Sequence, residues 1–191
     1  MDIIVCAVRQ NLENPYIQAI FNLVIPLIFS LPLIFLIIFS SNFPAYIATI
    51  TTFFFAYGTG EISSIVVGCA LGLNPFIPAL IVTYIESDMS LFITLNFDYL
   101  IKIPKLGKYI AAYEKKAEDI IKKRKSLRNI SFFFIFIMMF IPLHGTGAIT
   151  MTLAGRILAL GEKATWLAVT FGSLARSLLI ASLIYVGIIY I

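Results

Sequence analysis

The feature that most constrains the fold is an apolar stretch, from Ile17 to Ser40, that contains no Asp, Glu, Lys or Arg. A helix over this stretch is long enough to cross the hydrocarbon core of a bilayer, which is about 30 Å thick. Acidic residues precede it at Asp2 and Glu13, and no small-residue cleavage pattern follows it at Ser41 to Pro44. The sequence therefore predicts a retained transmembrane helix rather than a removable signal peptide.

Composition extends this conclusion to the whole chain. Of the 191 residues, 60% are hydrophobic and 13% are charged, whereas about a quarter of the residues of a soluble domain are charged. The chain has two cysteines and one histidine, which excludes a disulfide framework and zinc motifs built on two histidines. We predict an all-α integral membrane protein without a metal or cofactor.

Positive charge is concentrated in one segment. Ten of the fourteen Lys and Arg residues lie between Lys102 and Arg128, opposed there by three acidic residues. A short basic segment between apolar runs is typical of a cytoplasmic loop, so nucleic acid is not an expected partner. Apolar residues recur in it at helical spacing, which predicts an amphipathic helix on the inner membrane surface.

An internal repeat is the sharpest pattern in the sequence. The segment YGTGEISSIVVGCALGL, ending at Leu73, resembles HGTGAITMTLAGRILAL, ending at Leu160, at an offset of 87 residues. Seven of the sixteen positions from Gly58 to Leu73 are identical to their partners, including both Gly-Thr-Gly triplets. We expect Gly68, Gly72 and Gly155 to serve close helix packing.

The runs flanking each Gly-Thr-Gly are too short to cross the membrane alone. They have about 13 to 15 residues and would form helices of roughly 20 to 22 Å. Each pair of runs is either a re-entrant hairpin or one kinked spanning helix. Hairpins place every extramembrane Lys and Arg on the cytoplasmic side, which favours them. They also put the N-terminus inside, the C-terminus outside and the two repeats in opposite orientation.

The predicted architecture is thus an inverted repeat of a re-entrant helical hairpin plus a transmembrane helix, in a multi-pass protein of the cell membrane. Its single membrane domain divides into an N-terminal transmembrane helix at 1–41, repeat 1 at 42–97, a basic cytoplasmic helix at 98–130 and repeat 2 at 131–191.

Charged residues within these apolar runs are the candidates for function, because charge at membrane depth is costly and usually paired or facing a cavity. We expect the following residues to bind substrate or couple its transport: Glu61, Glu86, Asp88, Arg156, Arg176 and His144. The predicted hairpin tips are Gly58, Thr59, Gly60, Gly145, Thr146 and Gly147. Helix N-termini that meet at such tips favour an anionic group, with Arg176 as a further contact. The alternative is that Arg176 only neutralises one carboxylate as a packing pair.

Two segments carry a family resemblance. PLHGTGAITMTLAGRILAL and GEISSIVVGCALGLNPFIPA resemble the motifs of the small multidrug export protein family, which looks related to the DedA and VTT membrane proteins. The resemblance implies membrane transport, and the DedA likeness implies lipid phosphates as substrates. Relatives often carry an arginine two residues after the motif glutamate, where this chain has Ser63. We therefore hypothesise that Arg156 supplies the missing charge to Glu61.

Together these patterns predict a small transporter that moves an anionic lipid phosphate or a small amphipathic compound, with membrane lipid as its surroundings. Glu61, Glu86 and Asp88 would exchange protons or cations. The alternative is a non-transporting membrane scaffold or assembly protein, and a homo-oligomer is compatible with both. No G-x-S-x-G motif is present, and we do not expect an enzyme.

Overall fold

Seven helices make up the part of the chain described by the computed structural model, which covers residues 15–56, 59–101, 125–141, 147–158 and 160–190 and contains no strand there. In chain order the helices are α1 (Pro15–Ile38), α2 (Phe43–Phe55), α3 (Gly60–Ala70), α4 (Phe76–Ile101), α5 (Lys125–Phe140), α6 (Ala148–Ile157) and α7 (Glu162–Tyr190). The predicted all-α class is confirmed.

Helix length separates these elements into two groups. Three apolar segments are long enough to cross a membrane, namely Ile20–Ile38 in α1, Phe76–Tyr99 in α4 and Glu162–Gly187 in α7. The other four helices have between 10 and 16 residues, and a helix of 16 residues is only about 24 Å long. The described chain therefore alternates spanning helices with pairs of short ones.

The boundaries around the basic segment differ from those predicted. Helix α4 continues to Ile101, four residues past the expected end of repeat 1, and α5 begins at Lys125, six residues before the expected start of repeat 2. The first residues of the predicted cytoplasmic helix at 98–130 therefore belong to α4, and its last residues belong to α5. Its centre, residues 102–124, lies outside the described residues.

Pro26, inside α1, helps to attach this helix to α4. Pro26 has no backbone N–H, so the carbonyl of Asn22 lacks its partner within the helix. That carbonyl accepts a hydrogen bond of 3.1 Å from Nδ2 of Asn96, while Nδ2 of Asn22 donates to the carbonyl of Leu95 at 2.7 Å. Lipid cannot form hydrogen bonds with these polar groups, so they must pair with each other. The bonds therefore fix the position of α1 along α4.

Polar and small residues also hold the long helices together. The hydroxyls of Ser87 in α4 and Thr170 in α7 lie 2.9 Å apart, and Nε1 of Trp166 donates to the carbonyl of Ser87 at 3.0 Å. A Cβ atom at Gly172 would come within 2.6 Å of Cβ of Met139, so this glycine lets α5 approach α7 closely. Such small-residue contacts are typical of packing between membrane helices.

The sequence repeat has a counterpart in local structure. The amide of Leu73 donates to the carbonyl of Gly68 at 3.0 Å, and 87 residues later the amide of Leu160 donates to the carbonyl of Gly155, also at 3.0 Å. The two short helices that follow the Gly-Thr-Gly triplets thus end in the same way. The opposite orientation of the two repeats stays a prediction.

The packing contacts of two glycines are related by the same offset of 87 residues. A Cβ at Gly68 would lie 2.9 Å from Cβ of Pro78, and one at Gly155 would lie 2.6 Å from Cγ2 of Thr165. Pro78 and Thr165 are themselves 87 residues apart. Gly72 differs from the prediction, because its φ of +90° makes it the left-handed residue of a turn rather than a packing contact.

We predict that Gly68→Ala destabilises the protein by roughly 1 to 3 kcal/mol, the usual effect of forcing a methyl group into a filled site. Gly187→Ala is the matched control, because none of the described residues places an atom within 4 Å of its added Cβ and its helix accepts alanine. Thermal unfolding of both variants in the same detergent measures the difference. Equal midpoints for the two variants would contradict the packing role of Gly68.

Candidate functional site: a buried charged cluster

The described part of the chain brings two carboxylates onto one guanidinium in its interior. Nη2 of Arg176 donates to both carboxylate oxygens of Glu86 at 2.6 Å, and Nη1 lies 3.2 Å from Oε2 of Glu61. The hydroxyl of Ser173 also donates to Glu86. These four residues, Glu61, Glu86, Ser173 and Arg176, are called the charged cluster below.

Three helices supply the charged cluster. Glu86 lies near the middle of α4, and Ser173 and Arg176 are three residues apart on α7, so both face α4. Glu61 is in the first turn of α3. The exposed fraction of the side chain is 0% for Arg176 and 1% for Glu86, but 22% for Glu61. Glu61 is therefore the charged group of the cluster with access to its surroundings.

Gly60 determines where Glu61 points. A Cβ at this position would lie 2.2 Å from the carbonyl oxygen of Phe53, which is backbone and cannot rotate away. Only glycine allows the start of α3 to rest on α2 in this way. The second glycine of the first triplet thus has a defined role, which is to hold the short helix that carries Glu61.

The second triplet ends beside the same carboxylate. A Cβ at Gly147 would lie 3.4 Å from Oε1 of Glu61, and α6 begins at the next residue. The carboxylate therefore lies near a helix N-terminus, where negative charge is favoured. Of the predicted tip residues, Thr59, Gly60 and Gly147 are described. The remaining tip residues Gly58, Gly145 and Thr146 lie outside the described residues, as does the predicted site residue His144.

The charge balance of the cluster opposes the predicted anion site. Two carboxylates share one guanidinium, so the ionised cluster carries one net negative charge among the described residues. The one positive charge of Arg176 is already shared by the two carboxylates, although its Nε and Nη1 make no hydrogen bond among the described residues. A proton or a cation would lower the energy of the cluster, whereas a second anion would raise it.

Asp88 lies apart from the charged cluster, although we predicted from the sequence that it acts together with Glu61 and Glu86. It lines a cavity with residues of α1, α4 and α6. Residues two apart on a helix point in nearly opposite directions, so Glu86 and Asp88 cannot face the same partner. Oδ1 of Asp88 is buried and has no hydrogen-bond partner among the described residues.

The hypothesis that Arg156 supplies charge to Glu61 is wrong. Nη2 of Arg156 lies 3.7 Å from Oδ1 of Asp98 and 3.9 Å from Oε1 of Glu162, and its guanidinium lies 4.8 Å above the ring of Phe97. Arg156 is at the end of α6, whereas Glu61 is beside the start of α6. Arg176 takes the role that the hypothesis gave to Arg156.

Ser173 was missed by the sequence analysis, although a signal for it exists. Adding the repeat offset of 87 to Glu86 gives residue 173, so the serine occupies the position in α7 that the glutamate occupies in α4. The two equivalent positions meet in the interior. The same offset could have identified Ser173 as a partner of Glu86.

Comparison with known proteins agrees with the family resemblance. A family model described as "Putative small multi-drug export protein" matches residues 62–179, which is more than half of the chain. The chain belongs to this family. The match begins directly after Glu61 and contains Glu86, Asp88 and Arg176.

No curated protein and no solved structure shows significant similarity to the chain. The relation to the DedA and VTT proteins stays a prediction. The family and the three long apolar helices indicate a membrane protein. The orientation of its ends stays a prediction as well.

We predict that Arg176→Met lowers the free energy of unfolding by about 3 to 5 kcal/mol, because Glu86 would remain buried without its counter-charge. Arg156→Met is the matched control. Its carboxylate partners are largely exposed, and such pairs contribute about 1 kcal/mol or less. Denaturant unfolding in detergent compares the two. A loss of stability in Arg156→Met as large as that in Arg176→Met would contradict the assignment.

Proposed function

We propose that the protein is a small membrane transporter that exports a small amphipathic compound in exchange for protons, with Glu61 as the proton-carrying residue. The observation that supports this is the charged cluster, in which a buried guanidinium has more carboxylates than it can neutralise. A membrane protein tolerates such a charge imbalance where the charge has a function. Export from the cell follows the description of the family to which the chain belongs.

The difference in exposure separates the roles of the two glutamates. Glu86 is enclosed and accepts hydrogen bonds from both Arg176 and Ser173, so it acts as the permanent counter-charge. Glu61 contacts Arg176 through one oxygen and is partly exposed. A proton that binds to Oε2 of Glu61 removes its attraction to Arg176, and this releases the start of α3 from α7. Loss of the proton restores the contact.

The short helices suit such a movement. Pairs α2 with α3 and α5 with α6 are too short to span, which supports two re-entrant hairpins that enter from opposite faces, since α4 crosses once between them. Their Gly-Thr-Gly turns would meet near the midplane at Glu61. Opening one hairpin at a time would expose the cluster to one side and then to the other.

The charge of the cluster also bears on the substrate. A lipid phosphate would bring negative charge to a site that is already negative, so an uncharged or cationic amphipathic compound is the better match among the substrates considered. A non-transporting scaffold would need no residue like Glu61, in which one carboxylate oxygen contacts a buried arginine while the side chain remains partly exposed.

Transport in liposomes tests the proposal. Purified protein should take up tetraphenylphosphonium, a lipophilic cation, faster as the imposed proton gradient increases, and Glu61→Gln should abolish that dependence. Glu162→Gln is the control, because Glu162 is an exposed residue of α7 paired with Arg156. A fluorescent lipid phosphate tests the other substrate class.

An unchanged dependence on the proton gradient in Glu61→Gln would refute the role of Glu61. If wild-type protein moves neither probe and copurifies with a stable subunit, the scaffold is the correct function.

Topology is tested separately with a peptide tag at each end of the chain. The hairpin arrangement places the N-terminus in the cytoplasm and the C-terminus outside, so a protease added to intact cells should remove only the C-terminal tag. Removal of the N-terminal tag alone would show that the short helices pair into kinked spanning helices instead.

A further inference from the structure

A cavity of about 530 Å³ lies beside α1, on the side of α4 opposite the charged cluster. Its apolar lining residues are Leu23, Pro26, Leu27, Met89, Phe92, Ile93 and Ile149. Among the described residues of this lining, Asp88 is the only charged one. The volume lies within the range of about 300 to 1,000 Å³ that is usual for pockets that bind small molecules.

One oxygen of the carboxylate in this cavity has no hydrogen-bond partner among the described residues. Oδ1 of Asp88 is buried and makes no hydrogen bond within the described part of the chain. The neighbouring Tyr84 does not provide one, because its hydroxyl donates to the carbonyl of Phe29. An ionised carboxylate in apolar surroundings is costly unless a positive charge compensates it. The cavity thus contains a carboxylate that either a proton or a cationic ligand would neutralise.

The cavity is open on the side that faces lipid. Four of its apolar lining residues have roughly half of their surface exposed in the isolated chain, namely Leu23, Leu27, Phe92 and Ile149. They belong to membrane-spanning α1 and α4 and to the short helix α6. A compound dissolved in the bilayer could therefore enter between α1 and α6 without passing through water.

We propose that this cavity binds a lipophilic monocation, with the cationic centre at Asp88 and the apolar groups against α1 and α4. Charge decides the class of ligand. An anion would be repelled by the carboxylate, and an uncharged compound would leave the carboxylate without compensation. Binding of the cation is inferred from the cavity alone. The further step, that the cavity is the substrate site, rests on the proposed transport function.

A second cavity serves as an internal comparison. It has a volume of about 360 Å³ and lies between α1, α2 and α4, where its lining includes Leu36, Leu80 and Tyr84. Its described lining is similarly apolar but contains no carboxylate. If apolar surface alone bound the cation, both cavities would serve equally well. If the charge of Asp88 decides, only the first cavity will bind it.

Equilibrium dialysis with two probes of the same shape and opposite charge tests this directly. Purified protein in a non-ionic detergent should bind radiolabelled tetraphenylphosphonium and should not bind tetraphenylborate measurably. Asp88→Asn should weaken tetraphenylphosphonium binding roughly tenfold or more. Asp98→Asn is the matched control, because Asp98 is on the same helix, outside the cavity and largely exposed. It should bind as the wild type does.

Filling each cavity locates the site. Leu27→Trp should reduce binding of tetraphenylphosphonium, and Leu80→Trp in the second cavity should leave it unchanged. Both leucines are more than half exposed, so the larger ring can be accommodated without disturbing the interior.

Similar affinity for the two probes, or wild-type affinity in Asp88→Asn, would overturn the proposal. The comparison of probes uses wild-type protein and so remains decisive even if a variant does not fold. Binding in detergent also needs no transport. Asp88-dependent binding with inert liposomes would refute the transport function alone, whereas transport without Asp88-dependent binding would refute this site alone.

Discussion

The fold depends on the contact between Arg176 and Glu86. Both side chains are removed from solvent, and the guanidinium bonds both oxygens of the carboxylate. In apolar surroundings either charge alone would be costly, so α4 and α7 can associate only in the register that joins them. Glu61 then adds α3 to the same guanidinium. A buried ion pair contributes little net stability compared with apolar packing, but it excludes other registers between helices that lipid would otherwise allow to slide.

The short helices α3 and α6, which follow the two Gly-Thr-Gly triplets, show how the chain brings a third charge, that of Glu61, to this ion pair. Each ends with the same backbone hydrogen bond and packs through a glycine against the first turns of the following long helix. Gly60 rests on the backbone of Phe53, which directs Glu61 inwards, while Gly147 brings the start of the other half-helix to the same carboxylate. The glycines thus act mainly through the close approach that they permit. The sites of Gly60, Gly68 and Gly155 require the absence of a side chain, whereas a methyl group at Gly147 would only contact Glu61. The charge chemistry comes from residues next to the glycines.

Much of this arrangement could be predicted from the sequence, and the errors have a common cause. Apolar runs indicated the three spanning segments, and charge at membrane depth indicated Glu61, Glu86 and Arg176. Depth does not reveal which side of a helix faces a partner, so Asp88 was grouped with the cluster although it points towards α1. Arg156 was paired with the wrong carboxylate for a related reason. Its distance from Glu61 depends on the direction of α6, which the sequence left open, and its partners Asp98 and Glu162 lie at helix ends that come together only in the tertiary fold.

The two faces of α4 suggest how binding of a cation at Asp88 would be connected with binding of a proton at Glu61. Glu86 and Asp88 flank Ser87, whose carbonyl and hydroxyl are bound to α7 through Trp166 and Thr170. Among the described residues, Arg176 compensates one of the two charges of Glu61 and Glu86, which leaves one negative charge in the charged cluster and a second at Asp88 when all are ionised. A proton at Glu61 and a cation at Asp88 would each remove one. Because α4 carries a charge on both faces, an apolar environment favours states in which both are compensated. Exchange of cation for proton additionally requires that a cation at Asp88 weakens the binding of the proton at Glu61, and α4, with its bonds to α7, is the element that joins the two sites.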